Sequence, residues 1–226
     1  MKRAWAVLAL VAPTIAATAA DVSAVERRWL QAGLPVLAYA RQQHLPVDIV
    51  VQPQEAPGHA PMAMDFVEGR CKLVLSMRGN PAADAALAAA PPALHDVVME
   101  AIVAHEVAHC WRHVQGRWNA LPAGFVEPGA PGGTAIRTAW HAMRATRREE
   151  GYADLAGLAW MQRRHPGRYS QVHDWLVRVR DHQPVAGSHH DTRTWLGLAA
   201  DPAVFDPSAD PFEQVQGLWQ LGLQGP

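Results

Sequence analysis

The sequence predicts an α+β, mainly helical domain with a small antiparallel sheet. Apolar residues recur at helical spacing in several long segments, whereas three short segments within residues 47–77 have the alternation or composition of strands. The chain has 226 residues, of which 49% are hydrophobic and 18% are charged. This composition supplies enough apolar side chains for one sizeable core and excludes a disordered chain or a coiled coil.

Residues 1–19 are predicted to be a signal peptide that precedes the domain. Two basic residues are followed by an uncharged run rich in Ala, Val and Leu, and an Ala-x-Ala pattern places cleavage after Ala19. An uncleaved membrane anchor is the alternative, but Pro13 interrupts a run that is already short for a membrane span. We therefore expect one exported domain, residues 20–226, in the periplasm or secreted.

The charge balance argues against a polyanionic partner. Lys and Arg total 20 and Asp and Glu total 21, and removal of residues 1–19 takes away two cations and no anion. The formal net charge then changes from −1 to −3. Since there is no positive excess, we expect neither nucleic-acid binding nor attraction to an anionic membrane, and no stable membrane insertion after cleavage.

The first elements are predicted to be one helix and three strands. Ser23 and Glu26 have the spacing of a capping box, which begins a helix running to about residue 43 with a break near Gly33 and Pro35. The predicted strands are 47–52, 63–68 and 71–77, the last two joined by a tight turn at Gly69.

The remaining elements are predicted to be helices. Pro91 and Pro92 can open a helix that covers residues 93–114 and stops before Gly116. Residues 117–133 are rich in Pro and Gly and form a predicted loop that could be mobile beside the site. Further helices are expected at 134–164, 168–181, 191–200 and 211–222.

The main chemical motif is His105-Glu106-Val107-Ala108-His109, in the middle of the 93–114 helix. Four residues make about one helical turn, so both imidazoles leave the same face and can bind one metal ion. Glu106 would lie beside a water bound to that ion. If the 12 histidines and the glutamates were placed at random, a chain of this length would contain about 0.025 such motifs on average.

A catalytic zinc site needs a third protein ligand. The extended pattern HExxHxxGxxH is excluded because Arg112 and Gln115 occupy its Gly and His positions. Glu150 and Asp154 are four residues apart on the next long helix, so one could bind the metal while the other accepts the N–H of a ligating imidazole. Glu149 is the alternative ligand.

An HExxH motif followed on a second helix by Glu150-Gly151-Tyr152-Ala153-Asp154 resembles the gluzincin zinc metallopeptidases, in particular the HtpX-type and CAAX-prenyl-protease-type family. The match spans residues 93–160. The resemblance implies a zincin-like fold, in which a small sheet packs on the HExxH helix and a second helix carries a ligand. The transmembrane helices of the best-known relatives have no counterpart here, so the chain looks like a compact exported member.

The same resemblance implies the roles of individual residues. One Zn²⁺ per chain would be bound by His105, His109 and Glu150, with Glu106 as the catalytic base and Asp154 as the hydrogen-bond partner of a ligating histidine.

Family members also carry a Ser-His-Pro or Thr-His-Pro stretch downstream, with an arginine shortly after it. Residues 188–193, Ser-His-His-Asp-Thr-Arg, resemble that stretch with His190 in place of the proline. The resemblance implies that His189 stabilises the transition state and that Arg193 binds substrate. His190 is an alternative to His189, and a polar loop that caps the following helix is another interpretation.

The two cysteines, Cys71 and Cys110, are compatible with a disulfide. An oxidising compartment would permit the bridge. Two buried free thiols are the alternative, because the sequence does not give the distance that a disulfide requires.

These observations predict a zinc-dependent metalloendopeptidase that acts on a peptide or protein substrate through a zinc-activated water and Glu106. Strand 71–77 is expected to be an edge strand that aligns an extended peptide. The alternative is an exported zinc-binding protein without turnover, either a pseudoenzyme or a partner-binding module. A hydrolase of non-peptide amides is a third possibility.

Overall fold

A computed structural model describes residues 21–127, 129, 132–181 and 187–223, so the predicted signal peptide lies outside the described residues. The described elements are α1 (Ala24–Gln42), β1 (Val47–Val51), β2 (Met62–Val67), β3 (Arg70–Leu75), α2 (Ala82–Ala88), α3 (His95–Val114), α4 (Thr134–Arg164), α5 (Tyr169–Asp181), α6 (Arg193–Leu198) and α7 (Gln216–Gly222). A 3₁₀ turn at Pro92–Leu94 leads into α3. The predicted α+β, mainly helical class is confirmed.

Helix α1 begins as predicted but does not break. The Ser23 hydroxyl accepts the Glu26 N–H at 3.2 Å, and the Glu26 carboxylate accepts the Ser23 N–H at 2.6 Å, which completes the capping box. The helix continues through Pro35. A Cβ on Gly33 would lie 2.7 Å from the Val103 side chain, so the glycine lets α1 pack closely on α3. We infer that this packing outweighs the hydrogen bond that Pro35 cannot donate.

The sheet is mixed, with the strand order β1-β3-β2. The antiparallel prediction is correct for β2 and β3, which form a hairpin, but wrong for β1, which pairs with β3 in parallel. Glu68 and Gly69 in the hairpin turn both have positive φ, as a type I′ hairpin turn requires. Because β3 pairs on both sides, the prediction of an edge strand at 71–77 is also wrong, and β2 is an edge strand of this sheet.

Helices α3 and α4 lie against each other and carry the residues of both predicted motifs. A Cβ on Gly157 would lie 3.3 Å from the Ala101 carbonyl oxygen, which shows how closely the two backbones approach. A disulfide joins Cys71 of β3 to Cys110 of α3 with a Cα–Cα distance of 5.7 Å. Of the two alternatives, the cysteines are therefore bridged and are not free thiols. The sheet is thereby fixed covalently to the helix that carries HExxH.

Other elements differ from expectation in detail. Helix α2 was not predicted, because its Ala-rich sequence has no apolar periodicity. The predicted helix at 211–222 starts at Gln216, since the Asp210 carboxylate accepts the N–H groups of Phe212 and Glu213 in a preceding turn. Among the described residues no single helix is long and apolar enough to cross a membrane, although α2 and the Pro92–Val114 segment pass that test together with a 104° bend between them.

One continuous core joins the sheet and the helices. Its largest fully buried side chains include Trp29, Leu73, Met99, Tyr152, Tyr169, Trp195, Phe212 and Trp219. The core holds α3 and α4 rigidly enough for their facing polar side chains to form a site.

Candidate metal centre

Three ligand-type side chains converge between α3 and α4. The Nε2 atoms of His105 and His109 are 3.2 Å apart, as expected for histidines one helical turn apart on one face. The Glu150 carboxylate contributes one oxygen 3.5 Å from His105 Nε2 and the other 3.5 Å from His109 Nε2. The three ligand atoms all lie within 4.8 Å of one another, so the group can hold a metal ion.

Asp154 fixes the orientation of His105. Its carboxylate lies 2.9 Å from His105 Nδ1 and accepts the N–H there, so that the lone pair of Nε2 faces the other two ligand groups. Asp154 is itself held by Arg180 at 2.7 and 2.9 Å and by the Thr192 hydroxyl at 2.6 Å. Burial would raise the pKa of Asp154, but Arg180 and His105 hold that pKa well below its ordinary value.

Arg180 and Thr192 were not predicted from the sequence. Arg180 lies one turn after Leu176, on the face of α5 that also buries Val172. The sequence signal that could have identified Arg180 was a cation at a position where an amphipathic helix usually carries an apolar residue. Thr192 gave no comparable signal.

The donor set suits a cation. Burial alone would lower the pKa of His105, but the charges and hydrogen bonds of Glu150 and Asp154 outweigh that effect and raise the pKa to about 10. Glu150 shows the reverse, since its two histidine neighbours overcome burial and hold its pKa well below the usual range. The surroundings thus stabilise a positive charge at His105, which a proton or a metal ion can supply.

Glu106 lies beside this group and is nearly buried, with 8% exposure. Burial raises the pKa of its carboxyl, while the neighbouring histidines and a hydrogen bond from the backbone N–H of Met64 partly oppose this. Glu106, His105, His109 and Glu150 all line one cavity. A buried carboxylate with a raised pKa is a stronger base than an exposed one.

The alternative ligand Glu149 is engaged elsewhere. Its two oxygens accept hydrogen bonds at 2.8 Å from Nε and a terminal nitrogen of Arg112, and one of them also accepts the Asn119 N–H at 2.9 Å. The Arg112 and Glu149 side chains are 1% and 2% exposed. Glu150, which offers both oxygens to the histidines, is therefore the better placed of the two acids.

The downstream stretch reaches the site through a different histidine from the one that the resemblance implied. His190 lines the cavity, and its Nε2 lies 3.7 Å from a Glu150 oxygen. His189 is not among the residues that line the described cavity, although both histidines are exposed. The structure therefore favours the alternative, His190, because the turn at residues 187–190 brings only the second imidazole to Glu150.

Arg193, the expected substrate-binding residue, also lies away from the cavity lining. Its guanidinium forms two hydrogen bonds, of 2.7 and 2.9 Å, with the Asp191 carboxylate. The arginine that reaches the site is Arg180, which lines the cavity and lies 3.3 Å from a Glu150 oxygen.

The cavity has a volume of about 360 Å³, which is within the size range of small-ligand pockets. Its walls come from β2, α2, α3, α4 and α5, together with Trp118 and His190. Much of the lining is apolar and includes Ala86, Ile102, Leu158, Val172, Trp175 and Leu176. The site is thus a polar group within a largely apolar cleft.

Comparison with known proteins does not assign the chain to a family. No family model, curated protein or solved structure matches the chain. The resemblance to gluzincins accordingly rests on the HExxH and ExxAD residues themselves, and the function has to be argued from the site.

Proposed function

We propose that the chain is an exported zinc-dependent metalloendopeptidase of the gluzincin type. The observation that carries the proposal is the convergence of His105, His109 and Glu150 beside Glu106 in one cavity. Two imidazoles and one carboxylate are a donor set that catalytic zinc sites use, with a fourth position left for water.

Zinc fits these residues because imidazole and carboxylate groups are ligands that it prefers, and because Asp154 holds one of the imidazoles in place. His105, His109 and Glu150 would bind the ion, and Asp154 would keep His105 in the required tautomer. When bound, zinc would lower the pKa of a water ligand and polarise the carbonyl of a peptide bond. Intact Glu106 favours turnover over a purely structural site, which has no use for a base beside the metal.

The chain's own residues supply the proton transfers. Glu106 would take the proton of the attacking water and pass it to the leaving amine. His190, at the cavity wall, would donate a hydrogen bond to the oxygen on which negative charge develops. We assign this role to His190 instead of His189, because only His190 lines the described cavity.

An extended peptide is the substrate that best fits the cleft. Residues 60–64, which include the start of β2, line the cavity, and within the described part of the chain β2 pairs with β3 alone. A substrate strand could therefore pair with backbone groups on the edge of β2 that faces away from β3, other than the N–H groups of Met64 and Phe66, which already donate to Glu106 and Asp65. Such pairing would place a peptide bond at the ligand group. The disulfide supports export, since such bridges persist mainly in oxidising compartments.

The test is metal content and peptide cleavage by the mature protein, comparing wild type with Glu106→Gln. We expect about one zinc per chain in both proteins and a cleavage rate about 10²- to 10⁴-fold lower in the variant. Glu100→Gln is the matched control, because Glu100 is also buried on α3 but accepts hydrogen bonds from Trp160 and His165 instead of lining the cavity. This control should retain cleavage.

Two results would contradict the proposal. Absence of zinc after reconstitution would exclude the metal site. Zinc binding without any cleavage of a diverse peptide library would instead indicate a binding protein without turnover.

A further inference from the structure

Trp118 is the first aromatic residue after α3 and lies against a candidate metal ligand. Its ring meets the His109 ring edge-on, with 5.5 Å between centroids, and meets the Phe66 ring of β2 edge-on at 4.9 Å. Phe66 in turn stacks on His113 at 4.0 Å. Trp118 and Phe66, which we call the aromatic shelf, are both only partly buried and extend from His109 along β2.

The position of Trp118 is set by a buried ion pair. The next residue, Asn119, has a positive φ of 58° and donates its N–H to Glu149 of α4. Glu149 is bound by Arg112 of α3, and the Arg112 guanidinium lies 4.6 and 4.3 Å from the ring centroids of Tyr152 and Trp219. The loop that carries Trp118 is thereby attached to both helices of the site.

Neither the shelf nor this ion pair has a part in the hydrolytic steps described above. Two charges have been removed from water at this point, which is costly unless the geometry is well formed, and both oxygens of Glu149 accept hydrogen bonds from Arg112. The ion pair holds the backbone of Asn119, the residue that follows a partly exposed tryptophan in the cavity lining. The arrangement therefore controls what can lie beside the ligand group.

We propose that Trp118 is a specificity-determining residue that binds a large apolar or aromatic side chain of an extended peptide, and that Glu149 is the positioning residue that holds it there. This inference rests on the proposed peptidase function. Aromatic faces and edges attract other rings and large apolar groups at the centroid distances seen within the shelf. The ring centroids are 5.5 Å apart from His109 to Trp118 and 4.9 Å apart from Trp118 to Phe66. Since strand residues advance about 3.3 Å each, the shelf serves substrate positions within about three residues of the scissile bond.

The experiment compares wild type with Trp118→Ala on pairs of peptides that differ only by Phe or Ala at each of these positions. We expect wild type to prefer Phe at one position by about tenfold in kcat/KM, and the variant to lose that preference mainly through KM. Trp140→Ala is the matched control, because Trp140 lies on α4 against His141 and Arg144 and does not line the cavity. It should keep the preference.

Glu149 is tested by a double-mutant cycle with Trp118. Both Glu149 oxygens face donors, so the amide of Glu149→Gln must turn its own N–H groups toward one of them. We expect Glu149→Gln to keep zinc, to lose most of the preference for Phe, and to add no further loss when combined with Trp118→Ala. If Glu149→Gln does not fold, Arg112→Lys, which keeps the charge but not the fork geometry, takes its place in the cycle.

The outcomes separate this inference from the function on which it rests. Cleavage by wild type with unchanged selectivity in Trp118→Ala overturns the shelf but leaves the peptidase. Additive losses in the cycle overturn the positioning role of Glu149. Absence of cleavage by zinc-loaded wild type overturns both proposals.

Discussion

Glu149 and Glu150 are consecutive residues of α4 that meet α3 at the same interface, yet they form two different kinds of site. Both oxygens of Glu149 already accept hydrogen bonds from within the chain, from Arg112 and from the Asn119 N–H. Glu150 meets two imidazoles at 3.5 Å, and the Arg180 guanidinium lies 3.3 Å from one of its oxygens.

The difference shows what makes a buried polar group a site. Around Glu149 every strong acceptor faces a donor, so nothing further is required. Around Glu150 the nitrogen atoms of His105 and His109 face each other at 3.2 Å, and two lone pairs at that distance need a proton or a cation between them. The Glu149–Arg112 pair stabilises the fold, whereas the group of Glu150, His105 and His109 can bind a proton or a cation from solution.

The largest effect that would sharpen this comparison is loss of the metal. We expect Glu150→Gln to reduce bound zinc from about one per chain to nearly none, because a neutral amide is a poor ligand, whereas Glu149→Gln keeps it. Elemental analysis of the two purified variants measures this directly. Equal zinc loss in both variants would show that the two acids are not functionally distinct.

The next effect is on stability and should fall on the other acid. Removing the charge of Glu149 leaves Arg112 buried and unpaired, so the free energy of unfolding should fall by about 3–5 kcal/mol. Urea denaturation of metal-free proteins gives this value. Glu150→Gln should lose less, because its histidine partners lie beside a cavity and Arg180 keeps its bonds to Asp154. A larger loss than that of Glu149→Gln would break the comparison.

The disulfide lies between the two regions, since Cys110 follows His109 and precedes Arg112 on α3. It closes a loop with a sequence separation of 39, so replacing both cysteines by Ala should lower the free energy of unfolding by about 2–4 kcal/mol. Denaturation of the double variant beside wild type measures the loss. No change would indicate that the sheet is held on α3 by packing alone.

The smallest of these effects concerns the support of His105. Asp154→Asn should weaken zinc binding about 10- to 100-fold, because the neutral amide holds the imidazole less firmly and leaves Arg180 without its charge partner. Competition with a chelator measures the affinity. Thr192→Val removes only one hydrogen bond to Asp154 and serves as the graded control, with a smaller loss expected.

Local patterns were sufficient for the parts of the structure that depend on neighbouring residues. The capping box of α1 and the common face of His105 and His109 follow from helical periodicity, and the structure places both as expected. These features involve residues three or four positions apart. The preference for Glu150 over Glu149 comes instead from the resemblance, since only Glu150 has Ala-Asp at the matching offset.

The features that were not predicted depend on distant pairings. Arg180 and Thr192 reach Asp154 from 26 and 38 residues away, and no periodicity links them to it. The order of the strands could not be predicted either, because β1 pairs with β3 across an intervening strand. His189 and His190 are adjacent, and only the turn around them decides which one lies beside Glu150.

The bridge between Cys71 and Cys110 has a consequence for the chain if it is exported, as we propose, and meets peptidases there. A single backbone cut at a site between the two cysteines, for example at the exposed residues 91–93 before α3, would leave both fragments joined through the sulfur atoms. His105 and His109 would therefore stay covalently attached to the strand below them. Such nicked molecules would migrate as one species on a gel without reductant and as two species after reduction, while still holding the ligand helix in place.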